Sequence, residues 1–538
     1  MGWKTRGKVS DDPASPGVGE VKNNPSSTAP GTAGGVGGYA QAEWGPAKPR
    51  ICWGMEVKDS QRLKCGEEVS DPRIVNEVAK LISEFIRRVE RYRSVLLSDE
   101  ITPFSYAISA LSDWLKVVVV EVDTVIMELK AVEHEVGKNM LKLAEEAREK
   151  WFKIYRSELE ELIEKLRKGE AVIIITGDPF NESRSFIAHL YTRYLAIEIE
   201  RIAKSPDNIT IEISLSDLGG IDVVMPKLFS DNILEAMRYG LLLTDGSIVK
   251  GYPAMNTNQL WQVIAWILVW SGIVHIYING ININNNISIK WHLRAISHRD
   301  KIKNKDEVVK LVLKLNNDEF LIFLLFALLG DGHFDIKNKM IKLDIGVSKY
   351  ELWVDIIKKI KSYGFKEYDS RNKKTYIIWT YKAIELTRKM LSSSTIKAMI
   401  ESLSILPDAE KLRRLIALTN IKIKPRGSLS IEIDNIKMSI HVRDEGYIEI
   451  RILRKNYEDA RAIQERLNSA GYKAKLRKNG KSFEVCIDID EIKKHPELIA
   501  KVCETLRRIH EETINENNAV KAWKVAKAIM RLNCRNPT

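Results

Sequence analysis

Two hydrophobic periods alternate along this chain, and the switches between them divide it. Ile74, Val78, Leu81, Ile82 and Phe85 recur at helical spacing, and a longer helical stretch runs through Ala144 to Lys168. On that stretch Glu161 with Lys165 and Glu164 with Lys168 stand four apart, which describes a solvated helix face rather than a site. The β-branched run Val117 to Val120 leaves a strand open in the middle portion. AVIIITGDPFNESRSFIAHLY predicts an apolar strand, a glycine-containing loop and a helix, and NITIEIS predicts a further strand. No phosphate cradle is expected at that loop, because the second glycine and the lysine of GxxxxGK[ST] are missing. Leu260 to Ile278 is apolar enough to suggest a membrane span, but Gly272 in mid-stretch followed by alternating VHIYIN predicts a helix running into a strand.

Two segments repeat each other. SDNILEAMRYGLLLTDGSI (230–248) and NDEFLIFLLFALLGDGHF (317–334) each have a polar N-cap candidate, Ser230 or Asn317, then an apolar helix, then Asp-Gly where the helix would end. The aspartates are Asp245 and Asp331. Downstream, both copies carry Leu-Trp-x10-Gly: Leu260, Trp261 and Gly272, then Leu352, Trp353 and Gly364. Strand-like segments come after each, so the unit reads helix, Asp-Gly, strands, helix, strands, present twice.

RYGLLLTDG and LLFALLGDG, with these matched downstream units, resemble the LAGLIDADG homing endonucleases and maturases in their single-chain, two-motif form, over about residues 229–420. The resemblance implies motif helices side by side at a pseudo-two-fold axis, with Asp245 and Asp331 as catalytic residues holding a divalent cation, Mg²⁺. Two carboxylates at the negative ends of two helices repel each other, and a hard cation that prefers carboxylate oxygen would relieve that and present activated water to a phosphodiester. The small residues that allow close helix contact are Ala236, Gly240 and Thr244 on the first helix. The second offers Ile322, Phe326 and Gly330, so Phe326 either complements Gly240 or holds the helices apart.

Strand alternation in the first unit sets Ile287, Ile289, Trp291 and Leu293 against Ser288, Lys290, His292 and Arg294. In the second unit Ile341, Leu343 and Ile345 face inward while Lys337, Lys339, Lys342, Arg371 and Lys373 remain for phosphates, and the two sheets would form a cationic saddle for a DNA groove. Lys290 and Lys374 are the candidate charge stabilisers near the scissile phosphate. His275, His292 and His298 lack the cysteine or HxxxH context of a zinc site. Net charge supports a polyanionic partner: residues 1–230 carry −5, 231–420 carry +9 and 421–538 carry +8, giving +12 in all. Double-stranded DNA is the expected partner, with RNA as the alternative and no membrane.

The C-terminal residues read as strands SLSIEID, KMSIHV and YIEIRIL, a helix, a hairpin turning at Asn479-Gly480, and two closing helices. On the hairpin's first strand Lys473, Lys475 and Arg477 alternate with Tyr472, Ala474 and Leu476, an auxiliary nucleic-acid surface. Five scattered cysteines without a CxxC pair predict neither a disulfide framework nor a thiolate metal site, and point to a reducing, cytoplasmic setting. Residues 1–50 hold ten glycines and six prolines, with too little apolar surface to offset ordering entropy.

GYPAMNTNQLWQVIAWILVWSG, VHIYINGININ, IKWHLRAISH, DIGVSKYELW and SAGYKAKLRKNGKSFEVCID also resemble the paralogous PaREP-type repeat proteins of hyperthermophilic crenarchaea, a family whose name conveys no reaction. The length of 538 residues fits several domains in an α+β chain. They are a flexible tail (1–70), a helical region (71–168), a small α/β segment (169–228), the duplicated αββαββα core (229–420) and a basic α+β domain (421–538). A monomer with internal pseudo-symmetry is expected. The leading function is DNA binding, extended to a Mg²⁺-dependent endonuclease of a mobile element. Its alternatives are a catalytically inactive nucleic-acid-binding module, maturase- or regulator-like, and a protein-interaction protein.

Overall fold

The computed structural model describes residues 49–58, 60, 62–118, 124–181, 183–203, 208–370, 373–423, 430–515 and 518–534. The chain is a mixed α+β protein of two compact units, divided after Ile421.

The first unit is organised by one 11-stranded sheet. Its strands are β1 (Arg50–Met55), β2 (Lys64–Glu68), β3 (Val172–Thr176), β4 (Phe186–Tyr191), β5 (Leu195–Arg201), β6 (Ile209–Leu215), β7 (Gly220–Met225), β8 (Gly246–Val249), β9 (Tyr252–Thr257), β10 (Gly272–Ile283) and β11 (Ile287–Ala295). They run in the order β2-β1-β3-β4-β5-β6-β10-β11-β9-β8, with β7 also on β10. Three expectations are corrected here. The tail assigned through residue 70 contains β1 and β2, because Ile51 and Cys52 are apolar enough to be buried and β1 pairs in parallel with β3. Residues 1–48 lie outside the described residues. The helix expected after TGDP, in the stretch that ends at Tyr191, is strand β4: Phe186, Ala188 and Leu190 are buried at a period of two, which is a strand signal, and β4 pairs with β5. The segment 169–228 is no separate module, since the 12-residue β10 pairs with β6, β7 and β11 and joins it to the first copy of the repeated unit.

Helices Pro72–Arg91, Ser105–Val117 and Thr124–Lys150 precede the sheet's main run, the last continuing through a π-turn at Trp151–Tyr155 into Arg156–Lys168. Of the valine run, Val117 ends a helix and residues 119–120 lie outside the described residues. The suspected span resolves into a buried helix, Leu260–Val269, running into β10 through Gly272 at φ +84°, a left-handed turn that glycine enters without steric cost. Among the described residues no helix is long and apolar enough to cross a membrane.

A second sheet, β12 (Gly332–Asp335), β13 (Met340–Gly346), β14 (Lys366–Ser370) and β15 (Lys373–Trp379), comes after the helix Asn317–Asp331. Its order is β12-β13-β15-β14, and β8-β9-β11-β10 in the large sheet has the same pattern. Helices Lys305–Lys314 and Tyr381–Met390 close the two runs, each of which reads αββαββα.

The second unit is a five-stranded antiparallel sheet of β16 (Ser430–Ile433), β17 (Ile436–Val442), β18 (Ile448–Arg454), β19 (Lys475–Asn479) and β20 (Ser482–Asp488), ordered β16-β17-β18-β20-β19. Helices Tyr457–Ser469, Pro496–Asn515 and Ala519–Arg531 complete it, and Ile450, Leu467, Val485 and Leu506 are in its core.

The cysteine expectation is also corrected. Cys52–Cys65 and Cys503–Cys534 are disulfide-bonded, and Cys486 is a buried free thiol. Cα separations of 5.4 and 5.5 Å are the spacing that a disulfide requires. The β1–β2 pairing and the packing of the last two helices create it, neither of which sequence spacing reveals.

Candidate active site

The first motif helix, Asp231–Leu243, begins at Ser230 as expected; the second, Asn317–Asp331, is capped by Asn316, one residue earlier than expected. The Asn316 side chain accepts from the Asp318 and Glu319 amides at 3.0 Å, and Glu319 accepts from the Asn316 amide at 2.9 Å. The two helices run parallel. Near their starts Asn232 donates to Glu319 at 2.9 Å, and near their ends Gly330 meets Thr244.

Glycine makes the crossing possible. A Cβ on Gly240 would lie 2.6 Å from the Phe326 Cβ and 2.7 Å from the Phe323 carbonyl oxygen. One on Gly330 would lie 2.2 Å from the Thr244 hydroxyl and 3.1 Å from an Asp245 carboxylate oxygen. Phe326 is therefore the complement of Gly240 and not a spacer. The glycine after each aspartate has a related cause: a Cβ on Gly246 would lie 3.0 Å from the Leu241 oxygen, and one on Gly332 2.4 Å from the Leu328 oxygen, as the chain folds back against its own last helical turn.

Parallel packing brings two negative helix ends and two carboxylates to one place. Burial, and next the facing Asp331 charge, push the Asp245 carboxyl above the usual carboxylate range. The Gln262 amide donates to Asp245, and the Thr257 hydroxyl fixes Gln262 at 2.5 Å. Lysines counter the rest. The Lys349 ammonium donates to Asp331 at 3.0 Å and to the Thr244 carbonyl at 3.2 Å. The Lys411 ammonium donates to the Gly330 and Leu329 carbonyls at 2.7 and 3.1 Å, at the end of the second motif helix. Burial, with Lys349 nearby, lowers Lys305 to about 8.

Lys349 and Lys411 escaped the sequence reading, because neither belongs to a motif. The usable signal for Lys349 was its place in the first turn of the helix Val347–Ser362, where the dipole disfavours a cation by about 0.3–1 kcal/mol. A lysine there needs a compensating carboxylate.

Most of the other predicted residues stand in ion pairs or polar networks of their own. Lys290 pairs with Glu212, while Lys374 pairs with Glu367 at 3.1 Å and lies 4.0 Å over the Tyr350 ring. Their ammonium groups are thus engaged on the sheets, whereas Lys349 and Lys411 hold the acidic helix ends. His292, expected to face outward, is 1% exposed. Its ring bonds Asn256, accepts from Arg294 at 2.9 Å and packs 4.6 Å from Tyr277; burial lowers it to about 3, so it is a neutral acceptor. Arg294 is thereby occupied as well. Lys342 and Lys373 share Asp344, at 2.9 and 2.8 Å. Lys337 and Lys339 are exposed on the β12–β13 turn, and Arg371 lies outside the described residues.

The C-terminal basic strand is corrected. Lys473 is exposed but precedes the strand, which begins at Lys475. Lys475 pairs with Asp488 at 2.5 Å, and Arg477 binds Glu449 at 2.9 Å and also Glu484, which is 1% exposed and held by Arg451 and Asn479 as well. The hairpin turns one residue later than expected, with Asn479 opposite Ser482, so Arg477 faces Glu484. Arg477→Ala should therefore destabilise the second unit by about 2 kcal/mol through the buried Glu484, with DNA affinity little changed. Urea unfolding and duplex binding of the variant check this; an unchanged midpoint with lost binding would restore the nucleic-acid role.

The acidic helix ends also bear on the metal expectation. Among the described residues no group of three or more His, Cys, Asp or Glu could hold a metal ion. The oxygens that a divalent ion would use, an Asp331 oxygen and the Thr244 carbonyl, already accept from Lys349. The residues present therefore do not fit Mg²⁺ at the aspartate pair.

Comparison with protein-family models gave no match, and comparison with curated proteins gave none either. The PaREP resemblance has no support from them. Among solved structures, the homing endonuclease I-WcaI bound to its DNA recognition sequence is similar at 18% identity and a TM-score of 0.24, over 32% of this chain and 86% of that one. Full-length DUF199/WhiA from Thermatoga maritima is similar at 11% identity and a TM-score of 0.20, over 57% of this chain and 94% of that one.

Proposed function

We propose that the chain is a double-stranded-DNA-binding protein built on a duplicated LAGLIDADG-type core over residues 229–420. The observation that supports this reading most is the glycine-mediated parallel crossing of the two Asp-Gly helices, each followed by strands in the same spatial order. Such a core presents two antiparallel sheets beside one axis, a shape suited to the roughly 12 Å wide major groove of B-DNA, which side chains reach more readily than the deep groove of A-form RNA. The +9 charge of residues 231–420 supplies the field.

A second reading, nuclease chemistry, draws on the convergence of Asp245 and Asp331. Lys349 weighs against its metal-dependent form, and the DNA-binding reading does not need it.

The test is fluorescence anisotropy of a labelled duplex across a salt titration, for wild type and for the Lys337→Ala, Lys339→Ala double variant. Wild type should bind with a steep negative slope of log K against log salt. Removing two phosphate-contacting lysines should flatten that slope by about 1.8. Binding that ignores salt, or an unchanged slope in the double variant, would contradict this placement of the DNA.

A further inference from the structure

We propose that Lys349 is a tethered cation that takes the place of a divalent metal at the paired aspartates. Its ammonium joins the two halves of the core, donating to an oxygen of each: the Thr244 carbonyl at the end of the first motif helix and the Asp331 carboxylate at the end of the second. One positive group thus bridges two negative helix ends, which is the role that a metal between the aspartates would have.

Geometry and charge agree. The contacts at 3.0 and 3.2 Å are ordinary ammonium hydrogen bonds, and they occupy a carboxylate and a carbonyl oxygen, the hard oxygen donors that Mg²⁺ also prefers. The charge at the site is already balanced. Against the carboxylates of Asp245 and Asp331 stand Lys349, Lys411 on the Leu329 and Gly330 carbonyls, and Lys305 close by. A divalent ion entering this set would add charge to a site with no negative excess, and would first have to displace Lys349 from its oxygens.

Lys349 is also anchored as a substitute ion should be. It stands in the first turn of Val347–Ser362, so the backbone fixes its stem, and it reaches Asp331 from 18 residues along the chain. A lysine placed against the helix dipole gains there only if carboxylate and carbonyl oxygens receive it.

Metal binding decides the matter without reference to DNA or cleavage. Mn²⁺, read by paramagnetic resonance and by the shift of Tm, is titrated into the full chain as wild type, Lys349→Met, Lys349→Gln and Lys349→Arg. Wild type and Lys349→Arg should show no saturable site that Asp331→Asn removes. Lys349→Met or Lys349→Gln should bind Mn²⁺ about tenfold more tightly than wild type or better, and adding Asp331→Asn should abolish the gain. Saturable binding to wild type that Asp245→Asn or Asp331→Asn eliminates would overturn the proposal even if neither neutral variant folds. So would a folded Lys349→Met or Lys349→Gln protein that gains no Mn²⁺. DNA binding that fails its own salt test leaves this result standing, and the converse also holds.

Discussion

Replacing Gly240 with alanine should destabilise the first unit by about 3 kcal/mol, even though alanine is the better helix former by about 1 kcal/mol. The added methyl meets the Phe326 Cβ at 2.6 Å, the Phe323 oxygen at 2.7 Å and the Ala327 nitrogen at 3.0 Å. These are backbone atoms or atoms attached to backbone, so no rotamer change relieves them; the helices must separate or shift. Gly219→Ala is the control, since its Cβ would have nothing within 4 Å. Unfolding free energies from urea titration should differ between the two variants by about 3 kcal/mol, with a correspondingly lower midpoint for Gly240→Ala. Equal midpoints would mean that the motif helices do not cross at Gly240. Because the same crossing brings Asp245 beside Asp331, a helix shift should also lower duplex affinity.

The second large effect concerns Glu133, fully buried on the helix Thr124–Lys150. Ser402 donates to it at 2.6 Å, and its other carboxyl oxygen has no hydrogen-bond partner. Burial raises its carboxyl from 4.5 to about 7. The sign comes from proton counting. Between those values the native chain keeps a proton that the unfolded chain has released, so stability is fully present below 4.5 and is lost as pH rises through about 7. At about 1.4 kcal/mol per pH unit the loss approaches ~3 kcal/mol by pH 8. Glu133→Gln removes the titration. Relative to that variant, wild type should lose stability by this amount between pH 4.5 and 8, measured by urea unfolding; parallel profiles would refute the assignment.

What the sequence disclosed and what it hid divide along physical lines. The repeated helix, Asp-Gly and Leu-Trp-x10-Gly signals are local, and the backbone obeys them: Gly364, at φ +102°, directly follows the cap of its helix, and Gly272, at φ +84°, opens the strand that comes after its helix. Phe326 could be judged only with its neighbour in place, since complement and spacer are the same residue at different helix separations. Strand β4 was legible in the alternation of Phe186, Ala188 and Leu190 but was masked by the stronger expectation of a helix after a glycine loop. The disulfides and Lys411 were not legible, because Cys503 meets Cys534, and Lys411 meets Gly330, only through tertiary packing, whereas Lys349 left one local sign, its place in the first turn of its helix. The basic hairpin misled for a related reason. Charge read along one strand ignores the strand beside it, and the register places Arg477 against Glu484.

The proposed DNA binding by residues 229–420 stands or falls on where the nucleic acid lies along the chain. A 5-iodouracil-substituted duplex, photo-cross-linked to the full protein and mapped by peptide mass spectrometry, should label residues 229–420. Tyr277 on β10 and the turn carrying Lys337 and Lys339 are the expected sites. Adducts confined to residues 72–168 or 430–534, or adducts formed with single strands but not with duplex, would contradict it.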